Sequence, residues 1–286
     1  MSPTTEPPSA PQDRSDLSAA SPFELRIGLG RGTPDQTVRD ALATGDLGFL
    51  HSYTTGSTVD GPGVRVVAWT TGCQWRCRYC HNPDTWTVTN GIPVSVARAA
   101  EELGKYRAGL QTMRGGFTLS GGEPLMQHRF AAKLLAAAKR MGIHTAIETN
   151  GFYGSRLTDA ELDTIDLVML GMKTWDPKRH KDLTGEDIGP TLEFARRLAA
   201  RKRPVWIRFV LVPGITDDPE DMAGSAAFAA KLGNVERVEV LPFHQLGRFK
   251  WERLGLDYTL EGVEAPTQEA VDKALSVWRA AGLEAI

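Results

Sequence analysis

Residues 64–86 read VRVVAWTTGCQWRCRYCHNPDTW: a short β-rich run, then a glycine-containing loop that holds every cysteine of the 286-residue chain. The same pairing of a strand-like run with an unusual end recurs five times downstream. GFTLS (116–120) leads into SGGEP, HTAIET (144–149) into ETNG, DLVMLGM (166–172) into GMK, VWIRFVLV (205–212) into VPG, and VERVEVLPF (235–243) into PFH. Helical patterns separate the runs, at 93–107, 126–141, 158–165, 190–202 and 219–232, with a last one at 267–281. Several carry end signals: a Thr158–Glu161 capping box, Gly142 after the second, and Asp218, Pro219 and Gly233 around the fifth. Six β-α units predict an α/β fold, a parallel sheet with helical crossovers, as either an open doubly wound sheet or a full or partial barrel. The polar and glycine-rich signatures all fall at the C-terminal ends of the strands, the face on which barrels build active sites. A curved, barrel-like sheet with one large site is therefore expected.

A formal charge of −2 and 41% hydrophobic residues give no sign of a nucleic-acid or membrane partner. No apolar run approaches the roughly 18 residues of a membrane span, and the N-terminus lacks the basic start and apolar stretch of a signal peptide. A cytoplasmic protein is expected, where reduced thiols in a cluster point to a metal or redox site and not to disulfides. Residues 1–22 are rich in Pro, Ser, Thr and Ala and predict a disordered tail. A poorly specified lead-in, with a short helix around DQTVRDALATG (35–45), completes an extension over 1–48 ahead of a core domain over 49–286.

Four readings fit Cys73, Cys77 and Cys80. Structural zinc could use three thiolates with His81 as fourth ligand, although such sites usually draw on two ligand pairs and no second pair is present. Haem attachment matches Cys77 to His81 as C-x-x-C-H, but that chemistry normally needs export and leaves Cys73 unexplained. Three buried cysteines acting as small hydrophobes fit poorly with neighbouring Arg76, Arg78 and His81. The fourth reading is an iron–sulfur cluster: a four-iron cluster normally takes four thiolates, so three leave one iron open to a small molecule.

The spacing C-x-x-x-C-x-x-C after a first strand resembles the radical S-adenosylmethionine enzymes. The likeness extends through TVDGPGVR, GCQWRCRYCHNPDTW, LSGGEPL, ETNGF, DLVML, TLEFARRLA, VWIRFVLVPG and LPFHQLGRFKW, in order, to the pyruvate formate-lyase activating enzymes. It runs from about His51 to the C-terminus. The resemblance implies a partial (β/α)6 TIM-like barrel of the radical S-adenosylmethionine type. It implies a 4Fe–4S cluster and S-adenosylmethionine as cofactors, and reduced flavodoxin or ferredoxin as electron donor. It also implies a reaction in which a 5′-deoxyadenosyl radical takes a hydrogen atom from one glycine of pyruvate formate-lyase. Activation of another glycyl-radical enzyme, such as an anaerobic ribonucleotide reductase, is the nearest alternative; a zinc protein or a simple electron carrier is the non-enzymatic one.

On this resemblance Cys73, Cys77 and Cys80 ligate the cluster. Tyr79 packs its ring against adenine, and Ser120, Gly121, Gly122 and Glu123 receive the cofactor's amino group at a strand edge where a Cβ would obstruct. Asn82, Thr149, Gly171, Met172, Val210 and His244 contact the cofactor, as do Cys80 and His81. Asp60, His81 and Lys173 are the catalytic candidates, Asp60 and His81 near the target glycine and Lys173 also touching the cofactor. Alternation in 205–212 puts Trp206, Arg208, Val210 and Val212 on one face. A charge in so apolar a run needs a partner, either the cofactor carboxylate or an internal salt bridge. The family commonly builds a monovalent-cation site from an Asp-Thr pair and a Met-x-Asp motif. Here the residues are Glu148, Thr149, Met169 and Gly171: one carboxylate is longer and the other absent. Either Glu148 reaches further to compensate, or the cation is weak or missing.

Overall fold

The structure, a computed structural model, describes residues 35–286; the expected tail over 1–22 lies outside the described residues. Eight strands form one sheet: β1 (Leu47–Ser57), β2 (Arg65–Thr70), β3 (Ile92–Ser95), β4 (Gly116–Gly121), β5 (His144–Thr149), β6 (Leu167–Gly171), β7 (Val205–Leu211) and β8 (Val235–Pro242). Their order is β3-β1-β2-β4-β5-β6-β7-β8. β2 and β4 to β8 are the six expected runs and pair in parallel, each with the next. β1 joins antiparallel to β2 and β3 at one edge, while β8 at the other edge takes only a bridge from Ala285.

Alternation along the strands sorts their side chains between two environments. Phe117 and Leu119, Ile147, Val168 and Leu170, and Ile207, Phe209 and Leu211 belong to the main core, with Phe130, Leu134 and Leu135 of the helix His128–Arg140. The alternate residues Ala146, Leu167, Met169 and Trp206 form a separate small cluster on the inner face. Above it, Trp69, Ser120, Thr149, Gly171, Val210 and Leu241 line a single cavity. One residue from each of six parallel strands reaches the same space, which requires the sheet to curve round it. The fold is the expected partial barrel, open between β8 and the β1–β3 edge.

Several elements depart from the sequence reading. β1 begins at Leu47, inside the stretch assigned to the extension, and the expected short helix precedes it as Asp35–Thr44. Its outer half is exposed and rich in Ser, Thr and Gly, so no apolar alternation marks it. Residues 92–95, expected to be helical from 93, form β3, and Ser95 then caps the helix Val96–Gly104 by accepting from Arg98 N–H. The helix Pro177–Thr184 has only His180, Leu183 and Thr184 buried, leaving too little apolar surface to read as periodic, although Asp176 and Gly185 cap it. Among the described residues, no helix is long and apolar enough to cross a membrane.

Buried Asp221, on the helix Pro219–Leu232, accepts from the backbone N–H groups of Trp175 (3.0 Å) and Asp176 (2.6 Å). It ties that helix to the segment just after β6. Asp221→Ala leaves two partly buried donors to find other partners and is expected to lower unfolding free energy by about 2 kcal/mol, read as a shifted urea midpoint at unchanged slope.

Candidate active site

The loop after β2 is irregular, so its backbone polar groups need partners outside regular structure. Gly72 N donates to Thr85 O (2.6 Å), Cys73 N to Trp86 O (3.1 Å), Arg76 N to Thr184 O (2.7 Å) and Arg78 N to Leu183 O (3.1 Å). The second-strand signature is locked to the same loop, Gly122 N donating to Thr70 O and Glu123 N to Gly72 O. Thus the cysteine loop, the Gly-Gly-Glu turn and the helix Pro177–Thr184 form one backbone-bonded rim.

Cys73, Cys77 and Cys80 are free and partly buried, and all three line the cavity of about 330 Å³ at that rim. Burial pushes every one of these thiols up, Cys77 to about 12, so an external acceptor such as a metal is needed to make them thiolates at neutral pH. Among the described residues, no three His, Cys, Asp or Glu side chains converge to hold a single metal ion. His81, the proposed fourth zinc ligand, instead stacks on His244 with centroids 4.2 Å apart and Nε2 3.0 Å from the His244 carbonyl oxygen. Three thiols facing one cavity without a fourth ligand suit a cluster with an open iron better than a closed zinc site.

Gly121 and Gly122 present bare backbone to the cavity. Gly121 has φ +122°, and a Cβ there would lie 2.2 Å from Thr70 O. Glu123 does not reach the cavity. Fully buried, it accepts from Leu125 N–H (2.9 Å), Thr149 Oγ1 (2.6 Å) and Asn150 N–H (2.7 Å), stapling the second strand end to the third. Burial raises its pKa to about 7 against the pull of those three donors.

Arg208, only 8% exposed, is bound internally. Nη1 donates to Glu148 Oε1 (2.9 Å), Nη2 to Val59 O (3.2 Å), and the guanidinium pairs with Glu239 (3.2 Å) and Asp60 (3.6 Å). The salt-bridge reading therefore describes this structure. Burial opposes the Glu148 charge, but Arg208 and the Ser120 hydroxyl, donating at 2.6 Å, hold its pKa below the ordinary value. Asp60 accepts from Ser57 Oγ (2.5 Å), and its carbonyl from Thr118 Oγ1 (2.6 Å). Lys173 points into the cavity with Nζ 5.5 Å from the Tyr79 ring centroid.

The remaining expectations divide. Asp60, Tyr79, His81, Asn82, Ser120, Thr149, Gly171, Arg208 and Val210 all line the cavity. Tyr79 does so from a small apolar cluster with Leu183, Val212, Phe243 and Leu260, so much of its ring is already covered. Met172 is turned away, 1% exposed within the main core: with Gly171 facing inward, strand alternation sends the next side chain outward. His244 lies behind His81 and does not line the cavity. The sequence reading missed the helix Arg248–Arg253, which clamps the loop: Trp251 Nε1 donates to Cys80 O (2.8 Å) and Lys250 Nζ to Asn82 Oδ1 (2.7 Å). The motif containing it was visible, but nothing local signals a contact spanning 171 residues.

Comparison with known proteins gives a consistent result. Residues 67–226 match the family model described as the Radical SAM superfamily. The chain is 44% identical over 235 residues to a pyruvate formate-lyase-activating enzyme of Staphylococcus epidermidis, covering 79% of this chain and 93% of that protein. It is 40% identical over 233 residues to the pyruvate formate-lyase 1-activating enzyme of Escherichia coli, covering 81% and 95%. Among solved structures, a spore photoproduct lyase aligns with TM-score 0.58 at 12% identity, over 80% of this chain and 77% of that one, a likeness of fold alone.

Proposed function

Because the chain belongs to the radical S-adenosylmethionine superfamily, and within it to the pyruvate formate-lyase-activating enzymes, we propose that it activates pyruvate formate-lyase by generating a radical on one of that enzyme's glycines. The observation that carries the reading is the cavity itself, where three cysteines, a bare Gly-Gly edge and a partly buried lysine face one another. When bound, a 4Fe–4S cluster would supply the electron for reductive cleavage of S-adenosylmethionine, the chemistry from which the hydrogen-abstracting radical comes.

Cys73, Cys77 and Cys80 would hold the cluster, each losing its thiol proton on ligation. The Gly121–Gly122 backbone would receive the amino group of S-adenosylmethionine, with Ser120 beside it. Lys173 would face the carboxylate and the exposed part of the Tyr79 ring the adenine. Thr149, Gly171 and Val210 would bound the cofactor as walls of the cavity. Glu123 and Met172 act from beneath, the first by stapling two strand ends, the second by filling the core behind Gly171. Asp60 and Arg208 close the side of the barrel next to β8, and Asp60, His81 and Asn82 face the space left for the glycine. His244 positions His81 through its ring and carbonyl. Trp75, Trp86 and Trp69 on the cavity wall limit water, which protects a radical from side reactions.

The reading carries with it a cytoplasmic setting, a core domain preceded by the N-terminal extension, and a reduced flavodoxin or ferredoxin as donor. Its test is anaerobic incubation of the reconstituted protein with pyruvate formate-lyase, S-adenosylmethionine and a one-electron reductant. The expected product is a glycyl-radical doublet in the electron paramagnetic resonance spectrum of pyruvate formate-lyase, absent when its target glycine is alanine. Cleavage of S-adenosylmethionine with no radical on pyruvate formate-lyase would assign the protein to another glycyl-radical partner.

A further inference from the structure

The cavity that holds the cysteines has a neighbour. A second cavity, of about 420 Å³, shares Trp69, His81, Asn82 and Thr85 with it but touches none of the cysteines and neither Gly121 nor Gly122. Its outer wall includes Lys250, on the helix that clamps the cysteine loop.

Lys250 fixes how Asn82 sits in the shared wall. Its ammonium is 2.7 Å from Asn82 Oδ1 and 3.1 and 3.0 Å from the two Asp84 carboxylate oxygens, and Asp84 Oδ2 is also 3.1 Å from His51 Nε2. An ammonium only donates, so the amide oxygen must face it and the amide nitrogen must point away. Among the described residues Asn82 Nδ2 donates to no acceptor, which leaves both of its N–H bonds for a ligand. Asp84 balances the ammonium, so this wall presents a neutral donor and not a free charge. Neutral carbonyl acceptors recur at every residue of a polypeptide, and a target glycine within a chain enters only with backbone on both sides of it.

The helix does not depend on Lys250 to stay in place. Trp251 Nε1 holds the Cys80 carbonyl at 2.8 Å, and Gly247 lies so close to the loop that a Cβ there would be 2.7 Å from His81 Cα. We propose that Lys250 is a positioning residue, which locks the Asn82 amide so that its N–H bonds take a backbone carbonyl of the partner segment beside the target glycine. The inference rests on the functional reading above, and its test separates the two.

Initial rates of glycyl-radical formation by the reconstituted protein are measured by electron paramagnetic resonance at varied pyruvate formate-lyase concentration, and S-adenosylmethionine binding by ultrafiltration. Lys250→Met is expected to raise KM for pyruvate formate-lyase about fivefold, the worth of one neutral hydrogen bond, with S-adenosylmethionine affinity within about twofold of the wild type. Asn82→Asp keeps an oxygen for Lys250 but loses both donors, and is expected to raise KM at least as much. Adding Lys250→Met to Asn82→Ala is expected to raise KM no further, because the two residues act as a unit. A wild-type KM in Lys250→Met or in Asn82→Asp, an undiminished Lys250→Met effect on top of Asn82→Ala, or a loss confined to S-adenosylmethionine affinity would overturn the inference. No radical on pyruvate formate-lyase with the wild type would overturn the functional reading and this inference with it.

Discussion

Changing any one of Cys73, Cys77 or Cys80 to serine removes the bound iron and abolishes cleavage of S-adenosylmethionine, while the chain stays folded. The separation of these effects follows from how the loop is held. Its backbone is fixed by hydrogen bonds from Gly72, Cys73, Arg76 and Arg78 N–H to carbonyls on neighbouring segments, and by Trp251 Nε1 on the Cys80 carbonyl. None of those bonds uses a sulfur. A serine hydroxyl is close in size to a thiol but is a poor ligand for an iron–sulfur cluster. Iron analysis and circular dichroism on the same sample check the claim. Full iron content in any of the three variants would remove that cysteine from the ligand set, and loss of helical signal would make its role structural.

Gly121→Ala is expected to lose S-adenosylmethionine binding altogether and to lower stability by about 3 kcal/mol or more, the sum of left-handed strain and overpacking. Gly121 has φ +122°, and its added Cβ would meet Thr70 O at 2.2 Å and Thr70 N at 2.3 Å. Both are backbone atoms of the neighbouring strand, paired with Gly121 in the β2–β4 ladder, so neither can move aside without breaking the sheet. The same substitution at Gly104, helical and with nothing within 4 Å of the added Cβ, should instead be neutral or stabilising by up to about 1 kcal/mol. Thermal melts of the two variants give the comparison; equal stability would show that the strand end tolerates a side chain and that bare backbone is not required there.

What could be read from the chain ahead of the fold depended on how locally each feature is encoded. The six parallel strands are dense in Val, Ile, Leu and Phe, and their ends carry rare residue types, so both the barrel and its rim were legible. β1 and the helix Pro177–Thr184 were not, because each shows solvent a polar face and buries only a few side chains. Arg208 illustrates a second limit. Periodicity placed it on the inner face, but its partners Val59, Asp60, Glu148 and Glu239 come from four places in the chain, and only the fold brings them together. Glu123 was assigned to the cofactor because of its motif, whereas the structure uses it to join two strand ends. Met172 is decided by periodicity alone: once Gly171 faces the cavity, alternation requires its neighbour to face the core.

The proposed activity rests on three cysteines holding a four-iron cluster whose open iron takes S-adenosylmethionine. Anaerobic electron paramagnetic resonance of the reduced, reconstituted protein, recorded with and without S-adenosylmethionine and paired with iron and zinc analysis, tests it most directly. A reduced four-iron signal whose shape changes when S-adenosylmethionine is added is expected. Zinc without iron, or a cluster signal indifferent to S-adenosylmethionine, would contradict it.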